Sequence, residues 1–196
     1  PSALHPFTGR GLRIWQYPVQ FGPYLAALAG LRVRSYLELG IRHGGSFVAT
    51  VELLERVGPL DFAVGVDIIP CDAMSEYQKI NPRIRFSKVN SQTSEFIELL
   101  ADLGNIDLVF IDSHHDAMQC RKEFSVLMSY ANMVAFHDIT NTGCPGIAEV
   151  WSEIKALPGW DCHEFTEQYP GLGPFMGIGL AIKSTRQIAV GDQQHV

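Results

Sequence analysis

The sequence predicts an α/β fold: a three-layer sandwich around a mostly parallel sheet, closed by an antiparallel C-terminal hairpin. Three observations predict it. Short, nearly unbroken apolar runs read as strands buried on both faces, the clearest being Ile106–Asp112 (Ile-Asp-Leu-Val-Phe-Ile-Asp). Segments with apolar residues at helical spacing alternate with them. A length of 196 residues with 46% hydrophobic and 18% charged residues supplies one sizeable core and excludes a disordered or low-complexity chain.

The elements follow in order. The first 24 residues, rich in Pro, Gly and aromatics (Phe7, Trp15, Tyr17, Phe21, Tyr24), predict an irregular arm leading into a short helix over Pro23–Leu31. Ser35–Gly40 is a strand stopped by glycine. Ser46–Val57 carries Phe47, Val48, Val51, Leu54 and Val57 on one helical stripe. Phe62–Ile69 and Ile84–Val89 are the second and third strands, and Phe96–Leu103 is another amphipathic helix. After strand Ile106–Asp112 comes a helix with Met118, Phe124, Leu127 and Met128 inward, then strand Met133–Phe136. Pro145-Gly146 begins a helix marked by Ile147, Val150, Trp151, Ile154 and Leu157, its Trp151 a core residue. Trp160–Phe165 and Phe175–Ile182 flank a Pro-Gly-Leu-Gly-Pro region and form the hairpin, which reverses an edge strand. No repeat or linker divides the chain. A single domain is expected over residues 1–196: arm and helix 1–34, core 35–183, tail 184–196.

Composition narrows the partners. A net charge of −6 without a Lys/Arg block leaves no nucleic-acid footprint. No apolar run approaches the roughly 20 residues of a membrane span. The start, Pro-Ser-Ala-Leu-His-Pro, lacks the pattern of a signal peptide. Cys71, Cys120, Cys144 and Cys162 contain no Cys-x-x-Cys pair, which disfavours zinc or a disulfide framework and suits a reduced, cytoplasmic protein. Self-association into a homo-oligomer is left open.

In such sheets ligands bind beyond the carboxyl ends of the strands. Chemistry-bearing residues recur there: Glu38 to Ser46, Asp67, Asn90-Ser91-Gln92, Asp112 with His114 and His115, and His137-Asp138. The loop after the first strand is not a dinucleotide fingerprint: counting from Gly40, the second glycine position is Arg42 and the third Gly45. A glycine turn followed by Asp67, able to accept both hydroxyls of a ribose, indicates a nucleoside without pyrophosphate. Ser91 and Gln92 are placed to bond its base. The plainer alternatives are a strand–helix turn with Ser46 as N-cap, Asp67, Ser91 or His114/His115 as local caps, and His137-Asp138 as a polar turn.

The segments Tyr36-Leu-Glu-Leu-Gly, Val66-Asp67, Asp107-Leu-Val-Phe-Ile-Asp-Ser-His-His115 and Phe136-His-Asp-Ile, with Pro145-Gly-Ile-Ala-Glu-Val-Trp151 and Gly177-Ile-Gly179, resemble the class I S-adenosylmethionine-dependent methyltransferases. Within that superfamily the chain is similar to the branch of macrolide-sugar O-methyltransferases and cephalosporin-hydroxylase-like proteins, over about Tyr36 to Lys183. The resemblance implies a Rossmann-like core and S-adenosyl-L-methionine bound by Glu38, Gly40, Gly44, Ser46, Asp67, Ser91, Gln92, Asp112 and His114. Gly40 and Ser46 then flank the methionine moiety, Asp67 the ribose, and Ser91-Gln92 the adenine. It implies further a divalent metal such as Mg on Asp112, His137 and Asp138, with His115 as base and Asp112 beside it as catalytic residues. His137 stands where metal-dependent relatives often carry an acid. The expected reaction is O-methylation of a small-molecule acceptor, a sugar or natural-product hydroxyl. The rival classes are a non-catalytic adenosylmethionine-binding module and a nicotinamide oxidoreductase. Acceptor specificity is expected from the first 35 residues, Asp138–Gly146, Tyr169–Pro174 or a neighbouring subunit.

Overall fold

The structure, a computed structural model, describes residues 13–171 and 173–184. Along these residues run α1 (Pro18–Ala29), β1 (Ser35–Leu39), α2 (Gly45–Val57), β2 (Phe62–Asp67), α3 (Asp72–Ile80), β3 (Ile84–Lys88) and α4 (Ser94–Leu103). Then follow β4 (Ile106–Ile111), α5 (Ala117–Leu127), β5 (Ala131–His137), α6 (Pro145–Ala156), β6 (Trp160–Phe165) and β7 (Ile178–Lys183). The strands form one sheet in the order β3-β2-β1-β4-β5-β7-β6. β1 to β5 pair in parallel, while β7 runs antiparallel to both β5 and β6.

The period-2 alternation of the strands sorts the core into two layers. Tyr36, Leu108, Phe110, Met133 and Ala135 point to one face, where α1, α2 and α3 pack with Tyr24, Leu28, Phe47, Val51 and Met74. Leu37, Val64, Val109, Val134 and Phe136 point to the other, under α4, α5 and α6 with Phe96, Leu100, Phe124 and Trp151. The same alternation carries Glu38 on β1 and His137 on β5 to the α1–α2 side. Register pairs Ile111 with Phe136, so Asp112, one step on, comes level with His137.

Several expectations need correction. The first helix begins at Pro18, five residues before its expected start, because proline is tolerated at a first helical position; Pro23 lies inside it and gives up one backbone bond. α3 was not anticipated. Met118 (77% exposed), Met128 and Leu157 face solvent, and the buried stripe of α5 is Cys120, Glu123, Phe124 and Leu127. The reversed strand is not at the edge: β7 lies between β5 and β6, with Ile178–Ala181 buried, and β6 with its alternating exposure is the outer strand. Trp151 is core as expected, its ring lying so close to Gly179 that a Cβ there would stand 2.6 Å from it. Residues 1–12 of the arm, Leu172 and the tail from 185 on, with His5 and His195, lie outside the described residues.

Candidate active site

Two cavities open at the carboxyl ends of β1, β2, β4 and β5. The larger, about 540 Å³, is lined by Gly40, Arg42, Asp67, Ile68, Ile69, Asn90, Ser91, Gln92, Asp112, Ser113, His114 and Gln119. The second, about 300 Å³, is lined by Trp15, Gln16, Arg42, His43, Ser46, Asp112, His115, His137, Asp138, Asn141, Cys144, Phe175 and Met176. They share Gly40, Arg42, Asp112 and Ser113.

The shared wall depends on Gly40. Its φ is +83°, and a Cβ would fall 2.1 Å from the Asp112 carbonyl oxygen. Only glycine permits both the turn and this approach of the β1 and β4 ends. Asp67 at the end of β2 is pinned by two backbone donors: the Arg42 N–H reaches Oδ2 at 2.8 Å and the Ile69 N–H reaches Oδ1 at 3.0 Å. Across the cavity, Glu123 of α5 collects three side chains. Ser91 donates to its Oε1 at 2.5 Å, Gln119 to Oε1 at 2.9 Å, and Ser113 to Oε2 at 2.7 Å. This buried carboxylate escaped the sequence reading; the available signal was an acid inside the apolar stripe of α5.

The second cavity is walled by an acid–histidine cluster. Asp112 Oδ1 lies 3.1 Å from His137 Nδ1 and 3.3 Å from His115 Nε2. Asp138 Oδ2 lies 3.2 Å from His115 Nδ1 and 3.7 Å from His137 Nδ1. Asp138 takes a left-handed φ of +64°, a conformation that costs of order 1–3 kcal/mol in a non-glycine residue and is retained where surrounding structure fixes it. Gln16 donates to Asp112 Oδ2 at 2.9 Å and Asn141 to Asp138 Oδ1 at 2.9 Å. Cys144 Sγ touches His115 Nδ1 at 3.2 Å. Among the described residues no Lys or Arg pairs with Asp112 or Asp138; their only cationic partners are the two imidazoles. Burial works to raise the Asp112 pKa, but His137 and His115 outweigh it and hold the carboxyl below the usual range. His115 is raised, chiefly by its bond to Asp112.

Beneath both cavities lies Glu38, 0% exposed, receiving the Ser46 hydroxyl on Oε1 and the Tyr36 hydroxyl on Oε2, each at 2.5 Å. Burial pushes its pKa up to about 7, against the lowering effect of those two bonds.

Of the expected cofactor residues, Gly40, Asp67, Ser91, Gln92, Asp112 and His114 line the larger cavity and Ser46 the smaller; Glu38 and Gly44 line neither. Gly44, not Ser46, is the N-cap of α2, and Asp116 rather than a histidine caps α5, accepting from the Met118 and Gln119 N–H groups. Asp112, His115, His137 and Asp138 do converge, with one ligand atom from each within 4.8 Å of the others. Gln16, Asn141 and Cys144 join them without a local sequence signal. In the wall of the second cavity Trp15 stacks on the Arg42 guanidinium, and Phe175 meets Tyr17 at a ring separation of 5.5 Å; Tyr17 in turn meets Tyr169 at 5.2 Å. No helix among the described residues is long and apolar enough to cross a membrane.

The architecture matches solved structures at low identity, which establishes the fold. Cofactor-bound Rv0187 from MTB aligns with a TM-score of 0.64 at 20% identity, over 93% of this chain and 88% of that one. The O-methyltransferase from Bacillus cereus in complex with SAH aligns with a TM-score of 0.62 at 14% identity, over 93% and 88%. TomG from Streptomyces achromogenes, an O-methyltransferase involved in tomaymycin synthesis, in complex with SAM, aligns with a TM-score of 0.59 at 16% identity, over 93% and 86%. No curated protein sequence matches at a significant level. The family model for rhamnosyl O-methyltransferase/CmcI matches residues 4–161, a span that includes β1 to β5 and every strand end described above. The chain therefore belongs to the rhamnosyl O-methyltransferase/CmcI family, within the class I S-adenosylmethionine-dependent methyltransferases.

Proposed function

We propose that this single-domain methyltransferase, residues 1–196, acts on a hydroxyl of a small natural-product molecule, such as a sugar, with a divalent cation at the acid–histidine cluster. The observation that carries the reading is the junction of the two cavities at Gly40, Asp112 and Ser113. A cleft of nucleoside size opens there onto a chamber walled by two carboxylates and two imidazoles. Four free cysteines support a reducing compartment such as the cytoplasm.

Adenosylmethionine supplies an electrophilic methyl on a sulfonium. The chain's part begins with orientation. Asp67, its carboxylate held from behind by two N–H groups, accepts the ribose hydroxyls with its remaining lone pairs. Ser91 and Gln92, steadied through Glu123, face the adenine end, where Ile68 and Ile69 offer exposed apolar surface to the base. The open backbone at Gly40 leaves room for the methionine moiety, and the negative field of Asp112 suits a sulfonium.

Asp112, His137 and Asp138 fit a cation: two carboxylates, 17% and 4% exposed, face an imidazole and, among the described residues, no Lys or Arg. A divalent ion there would supply positive charge beside the acceptor oxygen and lower its pKa. His115 is the proton acceptor. Its ring nitrogens both lie beside carboxylates, Nε2 at 3.3 Å from Asp112 Oδ1 and Nδ1 at 3.2 Å from Asp138 Oδ2, so a proton taken from the hydroxyl is held next to negative charge. Asp112 then stabilises the imidazolium. Trp15 and Phe175, both in the wall of this chamber, suit the C–H face of a sugar or a flat ring.

Calorimetry with adenosylmethionine, its demethylated product and NAD tests the cofactor assignment: the first two are expected to bind and NAD not. With an acceptor found, His115→Ala is expected to abolish transfer and keep cofactor affinity. No binding of either nucleoside, or full turnover in the variant, would overturn the corresponding assignment.

A further inference from the structure

Asp112, His137 and Asp138 offer three donor atoms to one point, 3.1 Å from Asp112 Oδ1 to His137 Nδ1 and 3.7 Å from there to Asp138 Oδ2. Donors side by side around a six-coordinate ion with bonds of about 2.1 Å stand roughly 3 Å apart; the Asp112–His137 edge matches this, and one ligand atom of each residue lies within 4.8 Å of the others. What distinguishes this donor set is its composition. Magnesium prefers oxygen donors and sheds its waters reluctantly, whereas imidazole suits the later first-row metals from iron onward. The nitrogen donor is packed nearly as deeply as the Asp138 carboxylate and more deeply than that of Asp112. His137 is 5% exposed, its Nδ1 faces both carboxylates, and its Nε2 has no hydrogen-bond partner among the described residues. Its ring nitrogens thus have no other polar use than the two carboxylates. A second imidazole, His115, meets the same two carboxylates from the solvent side.

Resting on the reading of this chamber as the methyl-transfer site, we propose that its ion is a first-row transition-metal dication of the iron, cobalt and nickel class, not magnesium, and that His137 makes the choice. An acid at this position would complete an all-oxygen face; the imidazole removes one negative charge and substitutes a softer donor. Specificity between ions then resides in one side chain at the end of β5.

The test uses the chelator-stripped full chain, titrated separately with Co²⁺ and Mg²⁺ by calorimetry, with the visible spectrum followed for Co²⁺. One Co²⁺ is expected per chain, bound at least about tenfold more tightly than Mg²⁺. His137→Asp is expected to shrink the Co²⁺/Mg²⁺ affinity ratio by at least about tenfold, and His137→Ala to weaken Co²⁺ by at least as much, since even outer-sphere partners of metal ligands are worth about 10–100-fold. Binding of adenosylhomocysteine by both variants shows that they are folded. Equal or tighter binding of Mg²⁺ by the unsubstituted chain, or an unchanged ratio in His137→Asp, overturns the proposal. Tight Co²⁺ binding that survives in His137→Ala does so as well. Should Co²⁺ bind as expected while adenosylhomocysteine fails to bind the unsubstituted chain, the methyltransferase reading of the chamber fails and the metal preference stands.

Discussion

Replacing Glu38 by Gln isolates the electrostatic cost of the carboxyl beneath the site. Burial moves its pKa from 4.5 to about 7 in the folded chain. The folded state therefore keeps a proton that the unfolded state releases, and the stabilisation present below 4.5 is lost as pH rises through the folded value. At about 1.4 kcal/mol per pH unit, the loss between the two values is about 3 kcal/mol. Gln has the shape of the protonated acid and can still meet the Ser46 and Tyr36 hydroxyls, but it never ionises. Urea unfolding of both proteins in chelator, from about pH 4 to about pH 8, measures the effect, since titrations common to the two cancel in the difference. The variant is expected to gain on the unsubstituted chain by about 3 kcal/mol across the window, the slope being confined to it. Stability curves that run parallel across that window would refute the reasoning.

Three further outcomes follow from the geometry. Gly40→Ala, whose Cβ would meet the Asp112 carbonyl at 2.1 Å with φ at +83°, is expected to lose nucleoside affinity at least about tenfold and to unfold at lower temperature, read by calorimetry and thermal melts. Glu123→Gln leaves the Ser91, Gln119 and Ser113 donors short of acceptors; adenosylhomocysteine affinity is expected to fall by about 1–3 kcal/mol with little change in Co²⁺ binding. Gly179→Ala presses a methyl against the Trp151 ring at 2.6 Å and is expected to cost about 1–3 kcal/mol in urea unfolding without moving either binding constant.

The legible parts of the fold are those set by local pattern. The Val109–Ile111 and Val134–Phe136 runs are buried on both faces and admit little but strand. Parallel pairing then delivers the residues after each strand to one edge, which is why Asp67, Asp112, His137 and Asp138 could be named from sequence and found together. What escaped depends on distant partners. α3 buries Met74 and Tyr77 while Ile80 is 80% exposed, so its apolar spacing is broken. Met118 is apolar and stands near the inward Phe124 and Leu127 in sequence, but at 100° per residue it falls on the side of α5 opposite the buried Cys120, Glu123, Phe124 and Leu127. Gln16 and Gln20 reach partners 96 to 157 residues away, and nothing beside them in the chain announces it. The place of β7 between β5 and β6 reverses chain order, which periodicity does not encode.

Asp112 belongs to two rooms at once: its backbone lies against Gly40 in the wall of the larger cavity, and its carboxylate faces the second. A residue so shared makes the occupants of the two cavities thermodynamic neighbours. Whatever factor a cation or acceptor in one imposes on nucleoside binding in the other, the nucleoside returns the same factor. On the proposed reading, methyl transfer removes a positive charge beside Asp112, and an occupant of the second cavity would sense that change through the same aspartate.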